Sequence, residues 1–289
     1  MDIDSVNLKL KEHSQAAAPH NIPMSRPGKR IGIIGNGYVG GTIAGFYRQT
    51  GADVKVYDKY KESDPLEEVL AQDYIFIAVP TNHVEGQGMD FSMLDDAMQN
   101  ASRSRARAII IKSTVLPGTT ARYQKQYPNI KIIFNPEFLT ELTAYTDFQY
   151  PDRQLVGYTD ASYDIAAEIQ ELLPLAPFTR IMPAEAAEMA KFFGNTWFAV
   201  KVVFANQMYD LCQTLGIDYE TVRDGVAADR RIGRSHLDVL HGGYRGYGGK
   251  CLPKDTRALI DFAESLGLDL KLLKMVEELN RELTGGVDR

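Results

Sequence analysis

The stretch that decides the fold is residues 31–58, IGIIGNGYVGGTIAGFYRQTGADVKVYD. An apolar run leads into Gly35, Gly37 and Gly40 at the spacing G-x-G-x-x-G, and a second apolar run closes on Asp58. Strand, glycine turn, helix and second strand in that order form a βαβ unit that binds a dinucleotide. Gly35 makes the tight turn, Gly37 lets backbone N–H groups approach a pyrophosphate, and Gly40 lets the helix pack against the sheet. The helix N-terminus favours phosphate charge. An acid at the end of the second strand accepts hydrogen bonds from a ribose hydroxyl and repels a 2′-phosphate. Asp58 therefore favours NAD over NADP.

Outward from this unit, strand and helix signals alternate to about residue 180. The expected strands are 30–35, 53–58, 74–80, 108–114, 130–136 and 153–157. Their near-continuous Ile and Val imply burial on both faces, hence a mainly parallel sheet. After Pro183 the strand signals stop. Residues 184–215 read as one long helix and 256–284 as two more, with a Gly- and Arg-rich segment between. The expected fold class is α/β: a doubly wound, Rossmann-type parallel sheet over residues 29–183, followed by an all-α dimerisation domain over 184–289. Residues 1–28 lack a sustained apolar period and are expected to be a flexible extension.

The chain has 289 residues, 44% hydrophobic and 24% charged, as in a soluble globular protein of two domains. Its net charge of −6 argues against nucleic acid as a partner. Residues 223–257 hold eight Lys/Arg against four Asp/Glu, which suits an anionic small molecule or a solvated loop. Two cysteines and no signal peptide point to a reducing, cytoplasmic setting. The longest apolar run, Met189 to Ala205, is interrupted by Lys191, Asn195 and Lys201 and is too short and polar to span a membrane.

A second site gathers around Cys251 in GYGGKCLPKD, residues 246–255. Cys212 lies in an apolar helical run and reads as a buried structural thiol. Cys251 lies among glycines and lysines, where it is either a loop thiol or a nucleophile. A nearby helix N-terminus and cations such as Lys250 or Lys254 would lower its pKa. Asp255 is either the N-cap of the following helix or a reacting carboxylate. Lys191 and Asn195, four apart, share one helical face; Lys191 either snorkels outward or is held for chemistry. Glu137, Glu141 and Thr114 follow strands at the edge where doubly wound sheets bind ligands, and each is also compatible with turn chemistry. No metal site is expected, since His236, His241 and Cys251 are loosely spaced.

Together these pieces form a set. The sequence resembles the UDP-glucose/GDP-mannose dehydrogenase family, most closely its UDP-glucose branch. The resemblance is carried from residue 30 to 284 by GIIGNGYVG, IAVPT, KSTVLPGTT, FNPEFLTE, EMAKFFGNT, ADRRIG and GYGGKCLPKDT. It implies a four-electron oxidation of a nucleotide-sugar primary alcohol by two NAD. The carbon passes through an aldehyde-level species and a thioester on Cys251 to a carboxylate. Lys191 stabilises the developing oxyanion and Asn195 adds a hydrogen bond. Asp255 and Thr114 orient water, and Glu137 acts as general base. The resemblance also places Tyr38, Val39, Thr81, Glu141 and Lys254 near the cofactor. Phe138, Leu139, Tyr247 and Gly248 fall at the sugar, and Arg231 reaches a neighbouring subunit's substrate.

The resemblance departs at VPTN, where Val-Pro-Thr-Pro is usual, and at the end of the chain. Family members continue through a long helix into a third, nucleotide-binding domain, and this sequence matches only the start of that helix. Apolar residues there, Leu272, Leu273, Val276 and Leu279, are expected to be exposed and to join a homodimer contact. Alternative substrates are GDP-mannose or a UDP-N-acetylhexosamine. A non-catalytic NAD-binding subunit is the reading of a different class.

Overall fold

The computed structural model describes residues 28–240 and 243–287. Most of the expected extension, and His241, lie outside them. A seven-stranded sheet is built from β1 (Arg30–Ile34), β2 (Asp53–Tyr57), β3 (Tyr74–Ile77), β6 (Ala108–Ile111), β7 (Ile132–Phe134), β8 (Arg153–Tyr158) and β9 (Phe178–Pro183). Their order is β2-β1-β3-β6-β7-β8-β9. All neighbours are parallel except β7 and β8, which pair antiparallel through Phe134 and Gly157. A two-residue-per-strand hairpin, β4 (His83–Val84) with β5 (Gly88–Met89), stands apart.

The all-apolar strands are explained by cover on both faces. In β6, Ala108 and Ile110 pack into one core with Ile43, Phe46 and Tyr47 of α1 (Tyr38–Gln49). Ile109 and Ile111 pack into the other with Val69 of α2 (Leu66–Leu70) and Leu94 and Met98 of α3 (Ser92–Ala101). Tyr123 of α4 (Thr119–Gln126) joins that second core. The first is completed by Phe148 of α5 (Ala144–Gln149) and Ile169 of α6 (Ala166–Leu172). The chain leaves β1 toward β2 and then returns past β1 to β3. That reversal leaves a crevice at the strands' carboxyl ends.

Six expected strands are present; β9 was not foreseen. It is an edge strand whose six residues are exposed or only partly buried, so it lacks an apolar alternation. From Pro183 the chain enters the 32-residue α7 (Ala184–Leu215) directly. Then come α8 (Tyr219–Ala227), α9 (Leu252–Ser265) and α10 (Lys271–Thr284). Phe192 of α7 packs with Ala258 and Leu259 of α9 and with Met89 of the hairpin, which ties sheet and helices together. The expected exposure of the last helix is corrected in part. Leu272 is exposed, but Val276 is buried and Leu273 and Leu279 pack against core clusters, because α10 lays that face on the neighbouring helices.

Candidate active site

The glycine turn has the geometry its spacing implies. Gly35 adopts φ 100°, a left-handed conformation, and its N–H donates to Tyr57 O at 2.8 Å. A Cβ on Gly40 would lie 1.8 Å from Gly35 O, so only glycine lets α1 approach this closely. A Cβ on Gly37 would meet no protein atom within 4 Å. Packing therefore does not demand glycine at 37; the residue leaves a bare backbone cradle at the N-cap of α1, where no side chain caps the Tyr38 and Val39 turn. These features fit a bound pyrophosphate.

Asp58 directly follows β2 and holds the cradle. Its Oδ2 accepts from Asn36 N at 2.7 Å and its Oδ1 from Tyr60 N at 2.9 Å. Lys59 pairs with Asp96 at 3.3 Å, and Lys61 donates to Asn36 O at 2.6 Å. On the far side of the crevice, buried Thr81 donates to Thr114 O at 2.7 Å, and Ser113 Oγ donates to Val79 O at 2.7 Å. The loops after β3 and β6 are thereby locked together. Tyr38 donates to Thr140 O, joining α1 to the segment that carries the exposed Glu141. Burial, Glu141, Asp147 and Glu137 push the Tyr38 hydroxyl up to about 12. Thr140 directly follows the Glu137–Leu139 turn, so the Tyr38 hydrogen bond brings cradle and second site next to each other.

The second site is built where α7 and α9 meet the end of β7. Lys191 does not snorkel: it is 4% exposed, and its Nζ donates to Glu137 Oε1 at 3.0 Å. The other Glu137 oxygen accepts from Leu139 N at 2.7 Å. Burial would raise the Glu137 pKa, but the Lys191 charge, the Leu139 N–H and the Lys112 charge together hold it below the ordinary value. Phe138 forms the wall beside it. The Arg153 guanidinium is 3.9 Å from its ring centroid and the Lys191 ammonium 5.5 Å.

Asp255 is not the N-cap of α9. The helix begins three residues earlier with Pro253 in its first turn, a place where the missing N–H costs nothing, and Cys251 is the N-cap. Asp255, 1% exposed, accepts from Asn195 Nδ2 at 2.5 Å and from Lys254 Nζ at 2.5 Å. The exposed Cys251 meets the helix N-terminus as expected, yet its thiol pKa is raised. Desolvation at the mouth of the site, then Glu137 and Asp255, outweigh the opposing Lys191 and Lys254 charges.

Other expected site residues are placed differently. Tyr247 is buried; its OH donates to Glu277 Oε2 at 2.8 Å and its N–H to Asn280 Oδ1 at 2.7 Å. Its ring is thus a clamp between the glycine-rich segment and α10, and its neighbour Gly248 is partly exposed. Arg231 is exposed after α8 and paired with Asp229 at 2.5 Å. Cys212 is buried with Tyr219 and Val239, as a structural thiol should be.

Two residues escaped the sequence reading. Lys112 is buried and donates to Asn135 Oδ1 and Pro136 O, just before Glu137. Glu188, fully buried on the face of α7 that also carries Lys191 and Asn195, accepts from Gly118 N at 2.7 Å, Thr120 N at 2.8 Å and Thr120 Oγ1 at 2.6 Å. It binds the Thr114-bearing loop to the helix. Its position three before Lys191 was the available signal.

A dinucleotide cradle adjoining a thiol, a buried lysine, a buried aspartate and a partly buried glutamate fits a nucleotide-dependent oxidoreductase. Comparison narrows the class. Residues 60–173 match the NAD binding domain of the UDP-glucose/GDP-mannose dehydrogenase family, and 185–282 match its central domain. UDP-glucose 6-dehydrogenase AglM of Haloferax volcanii is 30% identical, covering 86% of this chain and 69% of its own. GDP-mannose 6-dehydrogenase of Pseudomonas syringae is 31% identical, covering 87% and 68%. A UDP-glucose dehydrogenase structure from Pyrobaculum islandicum superposes with TM-score 0.77 at 30% identity, over 92% of this chain and 70% of that one. The chain belongs to the UDP-glucose/GDP-mannose dehydrogenase family, whose members are NAD-dependent nucleotide-sugar dehydrogenases. It spans about two thirds of the length of the curated relatives it matches.

Proposed function

We propose that this protein oxidises the C6 primary alcohol of a nucleotide sugar, UDP-glucose, to the carboxylate through a thioester on Cys251. The observation that carries the reading is that α7 reaches both Glu137, through Lys191 at 3.0 Å, and Asp255, through Asn195 at 2.5 Å, with Asp255 in the first turn of the helix that Cys251 caps. NAD, when bound, would accept one hydride, so two NAD in turn would serve the two oxidations. Hydride leaves readily only from an alcohol that is losing its proton, so charge grows on the substrate oxygen. Lys191 stabilises that oxygen from a buried position, where a cation is most effective, and Asn195 lends a hydrogen bond. Cys251 then adds to the aldehyde carbon and holds it while the second hydride leaves. Glu137, kept ionised by its cations, serves as base toward the water that cleaves the thioester, with Asp255 and Thr114 orienting that water.

The test is NAD reduction against UDP-glucose, GDP-mannose and a UDP-N-acetylhexosamine. UDP-glucose is expected to give the highest kcat/KM, with two NADH formed per carboxylate. No reduction with any sugar would favour a non-catalytic NAD-binding subunit.

A homodimer through α7 is part of this reading. Met189, Phe193, Trp197, Phe204, Leu211 and Leu215 lie along one helical stripe and are all exposed, Phe193 by 66% and Trp197 by 54%. A stripe of large apolar residues on a long helix suits a self-complementary contact. Among the described residues, no helix is long and apolar enough to cross a membrane.

A further inference from the structure

Lys112 is a charged residue at the end of a strand whose other residues are all apolar and buried. It is 3% exposed. Its Nζ donates to Asn135 Oδ1 at 2.7 Å and to Pro136 O at 3.4 Å. Asn135 is itself fully buried and donates from Nδ2 to Leu155 O at 2.7 Å. The ammonium thus fastens together β6, the segment leaving β7 and β8, one residue behind Glu137. The groups around it are few. From the 135–139 segment comes Glu137, from α7 Lys191, and from α5 the Phe148 ring at 5.7 Å. Gln154 of β8 reaches the same Asn135 amide at 3.3 Å. A buried ammonium is costly unless countered, and Glu137 is the acid that counters it.

We propose that Lys112 is a positioning residue for the Glu137 carboxylate. It anchors the backbone that presents Glu137 and supplies that carboxylate with a second counter-charge behind the site. In the oxidation proposed above, Lys191 must turn its charge toward the substrate oxygen while Glu137 stays ionised. Burial pushes a carboxylate toward its protonated form, so withdrawing the Lys191 charge would work against an ionised Glu137. Lys112, which never touches substrate, keeps it charged. The Lys112 pKa supports the arrangement: burial lowers it to about 7, Glu137 resists the fall and Lys191 adds to it, so the three groups are electrostatically one unit.

Two measurements test this, and only the second rests on the proposed reaction. The first is a double-mutant cycle in unfolding stability with Lys112→Met, Glu137→Gln and the double variant. The double variant should lose less than the two single losses added; additive losses overturn the proposal whether or not any nucleotide sugar is oxidised. Should Lys112→Met fail to fold, Lys112→Gln, which removes the charge but keeps a donor for Asn135, carries the cycle. Less-than-additive losses with Glu137→Gln support the proposal, and additive losses overturn it. The second is the pH profile of kcat. Lys112→Met should move the acid limb to higher pH and lower kcat about tenfold, with KM for NAD within about twofold of wild type. Lys112→Arg should return the limb toward its original position. An acid limb unmoved in folded Lys112→Met overturns the proposal. A coupled cycle in a protein that oxidises no sugar would sink the reaction and leave the role of Lys112 standing.

Discussion

Asn195 Nδ2 donates to Asp255 Oδ2 at 2.5 Å, joining α7 to the first turn of α9 beside Cys251. The second Asp255 oxygen takes Lys254 at the same distance. Both oxygens of a buried acid are therefore met by donors. Asp255→Asn would turn an N–H toward one of them and leave Lys254 without its counter-charge. A loss of about 3 kcal/mol in unfolding free energy is expected, read by denaturant titration. A variant as stable as wild type would show that the two helices are held together by other contacts.

Cys251 and Cys212 should separate chemistry from packing. Cys251→Ser should form no carboxylate, because serine is not activated in this setting, and should still bind NAD. Cys212→Ala should keep turnover and lose about 1 kcal/mol of stability from a buried apolar contact. Acid formation by Cys251→Ser at the wild-type rate would remove the thioester from the pathway.

The thiol should be less reactive in the resting protein than its place at a helix N-terminus suggests. Its pKa is raised, so the thiolate fraction grows only as pH climbs past the ordinary cysteine range. Iodoacetamide labelling of Cys251 should therefore keep accelerating into alkaline pH. Glu137→Gln removes one of the negative charges that raise the pKa, so the pH midpoint should fall and labelling at neutral pH should quicken. A Glu137→Gln midpoint above that of wild type contradicts this ordering of charges.

Two glycines of the cradle should respond oppositely to alanine. Gly40→Ala would drive a methyl into Gly35 O and should cost about 3 kcal/mol of stability. Gly37→Ala meets no protein atom and keeps an allowed φ of −81°, so it should fold normally and lose NAD affinity. Thermal melts with and without NAD distinguish the cases. Equal NAD-induced stabilisation in Gly37→Ala and wild type would mean that the pyrophosphate does not approach residue 37.

Much of this fold was legible because a strand covered on both faces must be apolar throughout, as 108–111 and 74–77 are. The cradle was legible because its constraint is steric and local. Strand β9 was hidden because an edge strand needs no such pattern. The start of α9 was misplaced because Pro253 reads as a stop and serves instead as a first-turn residue. Lys191 and Asn195 drew notice as polar groups on an apolar helix. Lys112 did not, since a lysine ending a strand ordinarily reaches solvent; only the packing of β8 and the 135–136 backbone around it shows otherwise. The direction of the Cys251 shift depends on desolvation, which no spacing encodes.

The exposed stripe of α7 should make the protein associate. Light scattering is expected to report a dimer, and Trp197→Glu with Phe204→Glu should give a folded monomer. A wild-type monomer across the accessible concentration range would leave the stripe without a second copy as its cover.

The long helix has a mechanical consequence. It is rooted directly in the sheet at Pro183, with no linker, and runs 32 residues, about 48 Å. Lys191 stands about 10 Å from that root, whereas Leu215 stands about 47 Å away. If the rod tilts about its root, the apolar tip sweeps about four times as far as the lysine. The reacting groups lie near the fulcrum, so displacements imposed on the far end reach them much reduced.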